Sequence, residues 1–573
     1  MRTFAAVFAS IVVSTLCAAP ATIFKADAPA QDWRHSSLTG NGMLGAMVEG
    51  RIPDEVIHLS HSRIYMPMDP DLDNGARDPF MGACDLKIFT DIQSWSDYKR
   101  QTVFRSGECV VEAMDGEGRQ YRRRVFASRP DGLIAIKIED EANREAFFAL
   151  DALPISGFGE ARIFETGVRR FEVGKRDGFL YYRCEFSNRN PWNDISGYVV
   201  ALAAGKGKKE AFVDIVPIQK DSITSDPFPA MRRRLAAAVE SGYEALLSRH
   251  APAMEALFSR VSFSLDGDDQ RIAHYFSSGR YNIISSTGGE QVPNLQGLWA
   301  ASWCEPWGAV YKESGHLPCA ISFYNRGDMT EFNECLLKWM DRKGKDPRHA
   351  HQRTWRLPMR LLDGYRHTLD ADWRKRIDPI LEDYGKRPDL SPDDPDGLID
   401  ALFDDYPKAF ATNETLVAAA RAAVLSRVDG EGDATNMMAL DYVRLGLAAC
   451  KLRDAERAEK CLNKLTDGFW TDGGGSFHAL GSAFNMDASG GYPYLVSEML
   501  VYGDEEGVRF LPAKPAKWQS GKIKGLLLRG AVRLDELSWE GDKWRASLRF
   551  RDGTLLTLSR ENAPDNLYIY EKK

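Results

Sequence analysis

Between residues 22 and 230 short apolar or alternating runs lie between Gly, Asp and Pro clusters. Examples are Leu133-Ile134-Ala135-Ile136-Lys137-Ile138 and Gly197-Tyr198-Val199-Val200-Ala201-Leu202. A period of two punctuated by turn residues predicts strands, and this many of them predict a large N-terminal β-sandwich. The period changes after Met231, where Leu235, Val239, Tyr243, Leu246 and Leu247 fall at helical spacing and predict one linker helix over 234–256. From residue 267 to about 505, helical patterns such as 271–285, 329–340, 415–425 and 437–452 alternate with Gly-, Pro- and Trp-rich loops, which predicts a helical barrel. The tail returns to alternation, as in Trp544-Arg545-Ala546-Ser547-Leu548-Arg549-Phe550 and Thr554-Leu555-Leu556-Thr557-Leu558, predicting a small C-terminal β-domain over 506–573. No fixed-period repeat is present.

A chain of 573 residues exceeds what one hydrophobic core supports, in keeping with several domains. With 44% hydrophobic and 27% charged residues it belongs to the ordinary globular class. A net charge of −8 gives no footprint for nucleic acid, and the basic runs at Arg122 to Arg124 and Arg232 to Arg234 read as solvated faces. The first 21 residues carry an early Arg2, an apolar stretch from Phe4 to Leu16 and the small-residue site Ala19-Pro20-Ala21. They read as a secretory signal peptide, too short for a membrane span, and predict a secreted or periplasmic protein with no membrane contact after processing. Loss of Cys17 with that segment leaves eight cysteines, whose spacing fixes neither pairing nor a zinc site.

Walker, dinucleotide, H-E-x-x-H and nucleophile-elbow patterns are missing, so phosphate, nicotinamide, zinc-protease and serine-hydrolase chemistry lose support. Gly205-Lys206-Gly207-Lys208 is a basic turn. The chemically dense stretch is Asn294-Leu295-Gln296-Gly297-Leu298-Trp299, followed by Trp303, Glu305-Pro306-Trp307-Gly308 and Tyr311. Aromatic faces beside amides suit the C–H face and hydroxyls of a sugar. The same composition also suits a plug of tryptophans closing the end of a barrel.

At this loop the sequence resembles glycoside hydrolase family 95, the inverting α-L-fucosidases, whose P-A-N-L-Q-G-x-W and P-P-W-G-x-x-Y patterns stand here at 292–299 and 305–311. Collinear likenesses follow along most of the chain. Gly40-Asn41-Gly42-Met43-Leu44-Gly45-Ala46-Met47 is similar to the family's opening, Val125-Phe126-Ala127-Ser128 to a strand, and Tyr275-Phe276 with Gly279-Arg280-Tyr281 to a helix. Phe484-Asn485-Met486-Asp487 with Gly490-Gly491 resembles its F-Q-I-D-G-N-F-G-G segment, and 510–515 its entry into the C-terminal domain. The resemblance implies an N-terminal β-sandwich (22–230), a helical linker (231–266), an (α/α)6 barrel (267–505, shortened) and a C-terminal β-domain. It also implies hydrolysis of terminal α-L-fucose or a related sugar from oligosaccharide or polysaccharide, with inversion and without metal or other cofactor.

Inversion needs an acid for the leaving oxygen and a base for water, roughly 6.5–9.5 Å apart. The family polarises water with two asparagines and an aspartate. In this chain the resemblance assigns these positions to Ser314, His316 and Asp487, and the family's general acid, through Ser391-Pro392-Asp393-Asp394, to Asp393. A neutral imidazole is a better base than an amide, so the chemistry is conceivable but rewired. Asn294, Gln296, Trp299, Trp307, Tyr311 and Arg427 are the corresponding sugar contacts. Glu305 and Glu313 are alternative acids without family precedent. Competing roles are a packed histidine for His316, a turn or cap carboxylate for Asp487 and a solvated turn for Asp393. The missing asparagines equally suit a carbohydrate-binding pseudoenzyme, and a lyase or phosphorylase on the same architecture is a third possibility.

Overall fold

The computed structural model describes residues 22–570 apart from 68–77, 157, 188–193, 221–225, 268–269, 289–290, 310, 314, 344–354, 384–388, 405–409, 411, 431–436 and 564. The expected signal peptide lies outside the described residues.

Alternation governs the first part of the chain. In the strand Ile134–Asp140, Ile134, Ile136 and Ile138 face one apolar cluster and Ala135 another, as a period of two requires. This strand belongs to a nine-stranded sheet running from Ile23–Ala26 at one edge to Val168–Arg176 at the other. A second sheet has five strands, from Ala146–Asp151 to Ser37–Gly40. Leu44, Ile57 and Leu86 of the smaller sheet meet Val111, Val125, Ile136 and Val200 of the larger in one core, forming a sandwich. The outer face of the larger sheet is covered as well, where Phe126, Val199 and Phe212 pack under Phe228, Leu235 and Leu246. Burial on both faces explains why 197–202 reads as an unbroken apolar run. A helix inside this region, α1 (Phe158–Gly167), was not legible in the sequence.

The expected single linker helix is two helices, α2 (Phe228–Ser241) and α3 (Tyr243–Phe258). Gly242, at φ +79°, breaks them in a conformation that glycine adopts at little cost. The linker then ends as a strand, Ser262–Leu265, which pairs antiparallel with Ser520–Lys524 and forms one edge of the six-stranded C-terminal sheet. That sheet and the helical region are thereby stitched together before and after the helices.

Among the described residues ten further α-helices follow: α4 (Arg271–Ser286), α5 (His316–Ala320), α6 (Asn333–Lys343), α7 (Arg356–Thr368), α8 (Ala371–Asp383), α9 (Pro395–Asp404), α10 (Glu414–Asp429), α11 (Ala439–Lys451), α12 (Ala455–Gly468) and α13 (Asp487–Leu500). Every residue of α13 is buried, so it is the central helix of this region. Its first turns are Asp487-Ala488-Ser489-Gly490-Gly491, and the small residues let neighbours approach closely. A Cβ on Gly490 would collide with the Ala320 carbonyl of α5, and one on Gly491 with Val443 of α11. Gly279 of α4 abuts the Ser489 carbonyl in the same way. The eight cysteines from Cys84 to Cys461 form no disulfide, and seven of them are buried. Among the described residues no helix is long and apolar enough to cross a membrane.

Candidate functional site

Three segments meet at the N-terminus of α13, two of them consecutive in the chain and the third far from both. The first is the turn into α5, where Leu317 N–H donates to the Lys312 carbonyl (3.0 Å) and Cys319 N–H to that of Gly315 (3.0 Å), which sets His316 at the helix start. The second is the tight turn before α13. There His478 N–H donates to the Ala483 carbonyl (2.7 Å) and the His478 carbonyl accepts from Ala439 N–H (2.8 Å). The third is α13 itself, where Asp487 N–H donates to Asn485 Oδ1 (2.6 Å) and Met486 N–H to the Leu295 carbonyl (2.9 Å), tying the helix to the Trp-rich loop.

These restraints aim the Asp487 carboxylate at two imidazoles. His316 Nδ1 lies 2.7 Å from Asp487 Oδ2, and His478 Nδ1 lies 3.7 Å from the same oxygen. The imidazole rings are 5.3 Å apart. Asp487 is 1% exposed, whereas the His316 side chain keeps 18% exposure, so the histidine carries the pair toward solvent. Burial would raise the Asp487 pKa, but the charges and hydrogen bonds of His316 and His478 outweigh it and the net shift is downward. For His316 burial lowers the pKa, and the Asp487 carboxylate reverses that to a net rise. The helix N-terminus adds partial positive charge in favour of the carboxylate.

A narrow crevice, too tight as it stands to hold a water molecule, lies against this pair, lined by Asn294, Leu295, Tyr311, Lys312, His316, Leu317, Ala320, Met486 and Asp487. Asn294 and Tyr311 therefore share a wall with Asp487 and His316. Asn294 donates from Nδ2 to the Tyr65 hydroxyl (3.1 Å) and accepts at Oδ1 from Gln296 N–H (2.8 Å). Tyr311 donates to Gln291 Oε1 (3.3 Å) and stacks on Tyr65.

Other expected site residues are placed elsewhere. Trp299 is wholly buried among Leu38, Met47, Phe484 and Met486, with its indole N–H on the Thr39 carbonyl (3.0 Å). It is packing rather than a stacking platform for sugar. Trp303 likewise enters the sandwich core and donates to the Leu153 carbonyl (2.9 Å). Gln296 is 1% exposed and donates to Glu305 Oε2 (3.1 Å) instead of facing the cleft. Glu305 also accepts Ala301 N–H (2.8 Å) and Ser302 N–H (3.1 Å), so it staples the loop to itself; burial pushes its pKa upward. Glu313 is buried and is not among the residues lining the cleft. Trp307 lies in the 3₁₀ turn Pro306–Ala309, with its side chain outside the described residues, as is Ser314 altogether.

Asp393 is exposed in the turn that leads into α9, its N–H bonded to Ser391 Oγ (3.2 Å), and takes no part in the cleft. Arg427, near the end of α10, pairs with Asp396 (2.7 Å) on the surface rather than with anything lining the cleft. Nearer to His316 is a network that carries no local signature in the chain. Asp400 of α9 binds both Arg356 and Arg444, and buried Asp404 binds Arg356 (3.2 Å) and Arg360 (2.9 Å). Arg356 Nη1 stands 3.8 Å from where a Gly315 Cβ would lie. The local signal at His478 is equally slight: a histidine nine positions before Asp487, in a loop without helical or strand period.

The sequence matches no protein-family model. Over 204 residues it is 28% identical to "Probable alpha-fucosidase A" of Aspergillus oryzae, a match spanning 33% of this chain and 25% of that protein's length. In three dimensions it is similar to a "Putative kojibiose phosphorylase from human microbiome", at TM-score 0.55 and 8% identity, covering 94% of this chain and 99% of that one. The chain shares that fold. A family 92 glycosyl hydrolase aligns over 92% of this chain and 90% of its own at TM-score 0.38 and 10% identity, below the level at which a common fold can be argued. Fold likeness at such identity leaves the chemistry to be argued from the site.

Proposed function

We propose that the chain is an exported glycoside hydrolase of α-L-fucosidase type, a divergent relative of family 95 on an (α/α)6 barrel, which releases terminal α-L-fucose or a related sugar with inversion. The observation that carries this reading is the Asp487–His316 pair on the wall of a narrow crevice shared with Asn294 and Tyr311, which must widen to admit a sugar. Its partial sequence identity to an α-fucosidase and its shared fold with a phosphorylase-type protein support the same class. A carboxylate on Nδ1 fixes the imidazole tautomer and leaves Nε2 to take a proton from an attacking water, the logic by which an aspartate orients a catalytic histidine. Asn294 and Tyr311 supply polar contacts for sugar hydroxyls.

A second reading has its own support. Of the described residues lining the cleft, Asp487 is the sole carboxylate, and it is bound to histidine. A carbohydrate-binding protein that has lost its general acid fits this wall as well.

Hydrolysis of an aryl α-L-fucoside separates the two. The enzyme reading expects turnover that Asp487→Ala abolishes, with inversion seen by NMR of the first-formed sugar. Saturable sugar binding by a wild type without turnover would replace it with the binding reading.

A further inference from the structure

His316, His478 and Asp487 each present a ligand atom, and these atoms all lie within 4.8 Å of one another. Both Nδ1 atoms face the same Asp487 oxygen, at 2.7 and 3.7 Å. We propose that these three side chains form a binding site for a divalent first-row transition metal of the zinc class, its remaining coordination position directed toward the narrow crevice beside Asn294 and Tyr311 that His316 and Asp487 line. The proposal rests on this cluster and not on the sugar chemistry argued above.

A tetrahedral zinc ion with bonds of about 2.0–2.2 Å sets its ligand atoms roughly 3.3 Å apart. The two nitrogen-to-oxygen separations bracket that value, and the two imidazole nitrogens lie within 4.8 Å of each other, so binding asks for side-chain shifts of about half an ångström at the carboxylate and for the imidazoles to close on the ion. On binding, the hydrogen that bridges His316 Nδ1 and Asp487 Oδ2 is released to solvent and the ion takes its place. Two imidazoles with one carboxylate suit zinc, cobalt or iron; calcium and magnesium prefer shells of oxygen. Three protein ligands with a fourth position facing a cavity is the arrangement of metal sites that bind water or substrate.

The supporting shell is built. Backbone hydrogen bonds at Ala439, Ala483, Asn485 and Leu295 hold the two segments that carry His478 and Asp487, and the α5 turn holds His316. Burial of Asp487 at 1% and of His478 at 8% removes water that would compete for these donors. Surface acidic clusters lack both features.

The test uses the full chain, stripped with a chelator, re-equilibrated with zinc chloride, desalted and assayed for bound metal. One zinc per chain is expected, with affinity falling roughly tenfold or more in His478→Gln. Replacement by cobalt(II) should give the intense visible absorption of a four- or five-coordinate ion, reduced in the variant. If His478→Gln does not fold, as judged by circular dichroism, the wild-type cobalt spectrum decides: that of the fully hydrated ion overturns the site. Absence of bound zinc in the wild type, or equal zinc in a folded variant, also overturns it. Fucoside hydrolysis is read separately on the stripped and loaded protein. Metal without hydrolysis upholds the site and removes the proposed activity, whereas hydrolysis without metal binding does the reverse.

Discussion

His316 Nδ1 stands 2.7 Å from Asp487 Oδ2 across 171 positions of sequence, each residue raising the other's preference for its charged form. This coupling makes the pair a pH-dependent contributor to stability. His316 has a folded-state pKa raised from 6.5, so its share is complete below about pH 6.5 and is lost as pH rises through the folded value. Asp487 has a folded-state pKa lowered from 3.8, so its share is complete above about pH 3.8 and is lost as pH falls through the folded value. The stability difference between wild type and Asp487→Asn should therefore be greatest between these limits, about 1–3 kcal/mol, and shrink on both sides. Urea unfolding across pH measures it. A difference that is flat with pH would show that the pair is not ionised.

Trp299 has the burial of a core residue, and its replacement should behave accordingly. Trp299→Phe removes the donor to the Thr39 carbonyl and part of the indole volume, with an expected loss of about 1–3 kcal/mol. Thermal unfolding checks this, and sugar affinity measured on the folded variant should stay within about twofold of wild type. A large change in affinity at constant stability would return Trp299 to the binding surface.

The separation between what was legible and what was not follows from the range of each interaction. Strands such as Ile134–Asp140 and Lys543–Arg549 were legible because the period of two is written locally. The break at Gly242 was written locally too, but the flanking apolar positions continue the helical spacing through it and concealed the break. The pairing of Ser262–Leu265 with Ser520–Lys524 joins residues too distant for any local pattern. In the site, Asp487 and His316 were legible through motif positions, and they do meet. The role of Trp299 was not, because a tryptophan has the same identity whether it faces sugar or Phe484; only the fold decides its direction. His478 sits in a loop without helical or strand period and acquires meaning only once α13 is in place.

Glu305 provides a test of loop architecture independent of catalysis. Glu305→Ala leaves the Ala301 and Ser302 N–H groups and the Gln296 amide without their acceptor, which should cost about 1–3 kcal/mol each when unrelieved, so a loss of several degrees or more in Tm is expected. Glu305→Gln should be far milder. Its carbonyl can accept both backbone N–H groups, and a flip of the Gln296 amide, whose Oε1 has no hydrogen-bond partner, would accept the new NH₂. Calorimetry on the two variants distinguishes this from a simple charge effect, in which both would behave alike.

The glycine pair after Asp487 sets the position of the carboxylate by letting α13 touch α5. In Gly490→Ala the new methyl would meet the Ala320 carbonyl, and that backbone atom cannot rotate away as a side chain could. Relief requires α13 to withdraw from α5, the helix that begins at His316, so the 2.7 Å hydrogen bond should lengthen or break. The expected cost is about 1–3 kcal/mol of stability together with a drop in turnover greater than the drop in sugar affinity, since a catalytic pair loses alignment while the Asn294 wall stays in place. Steady-state kinetics beside a binding measurement reads both effects. Equal kcat in wild type and a folded Gly490→Ala protein would mean that helix contact does not position Asp487.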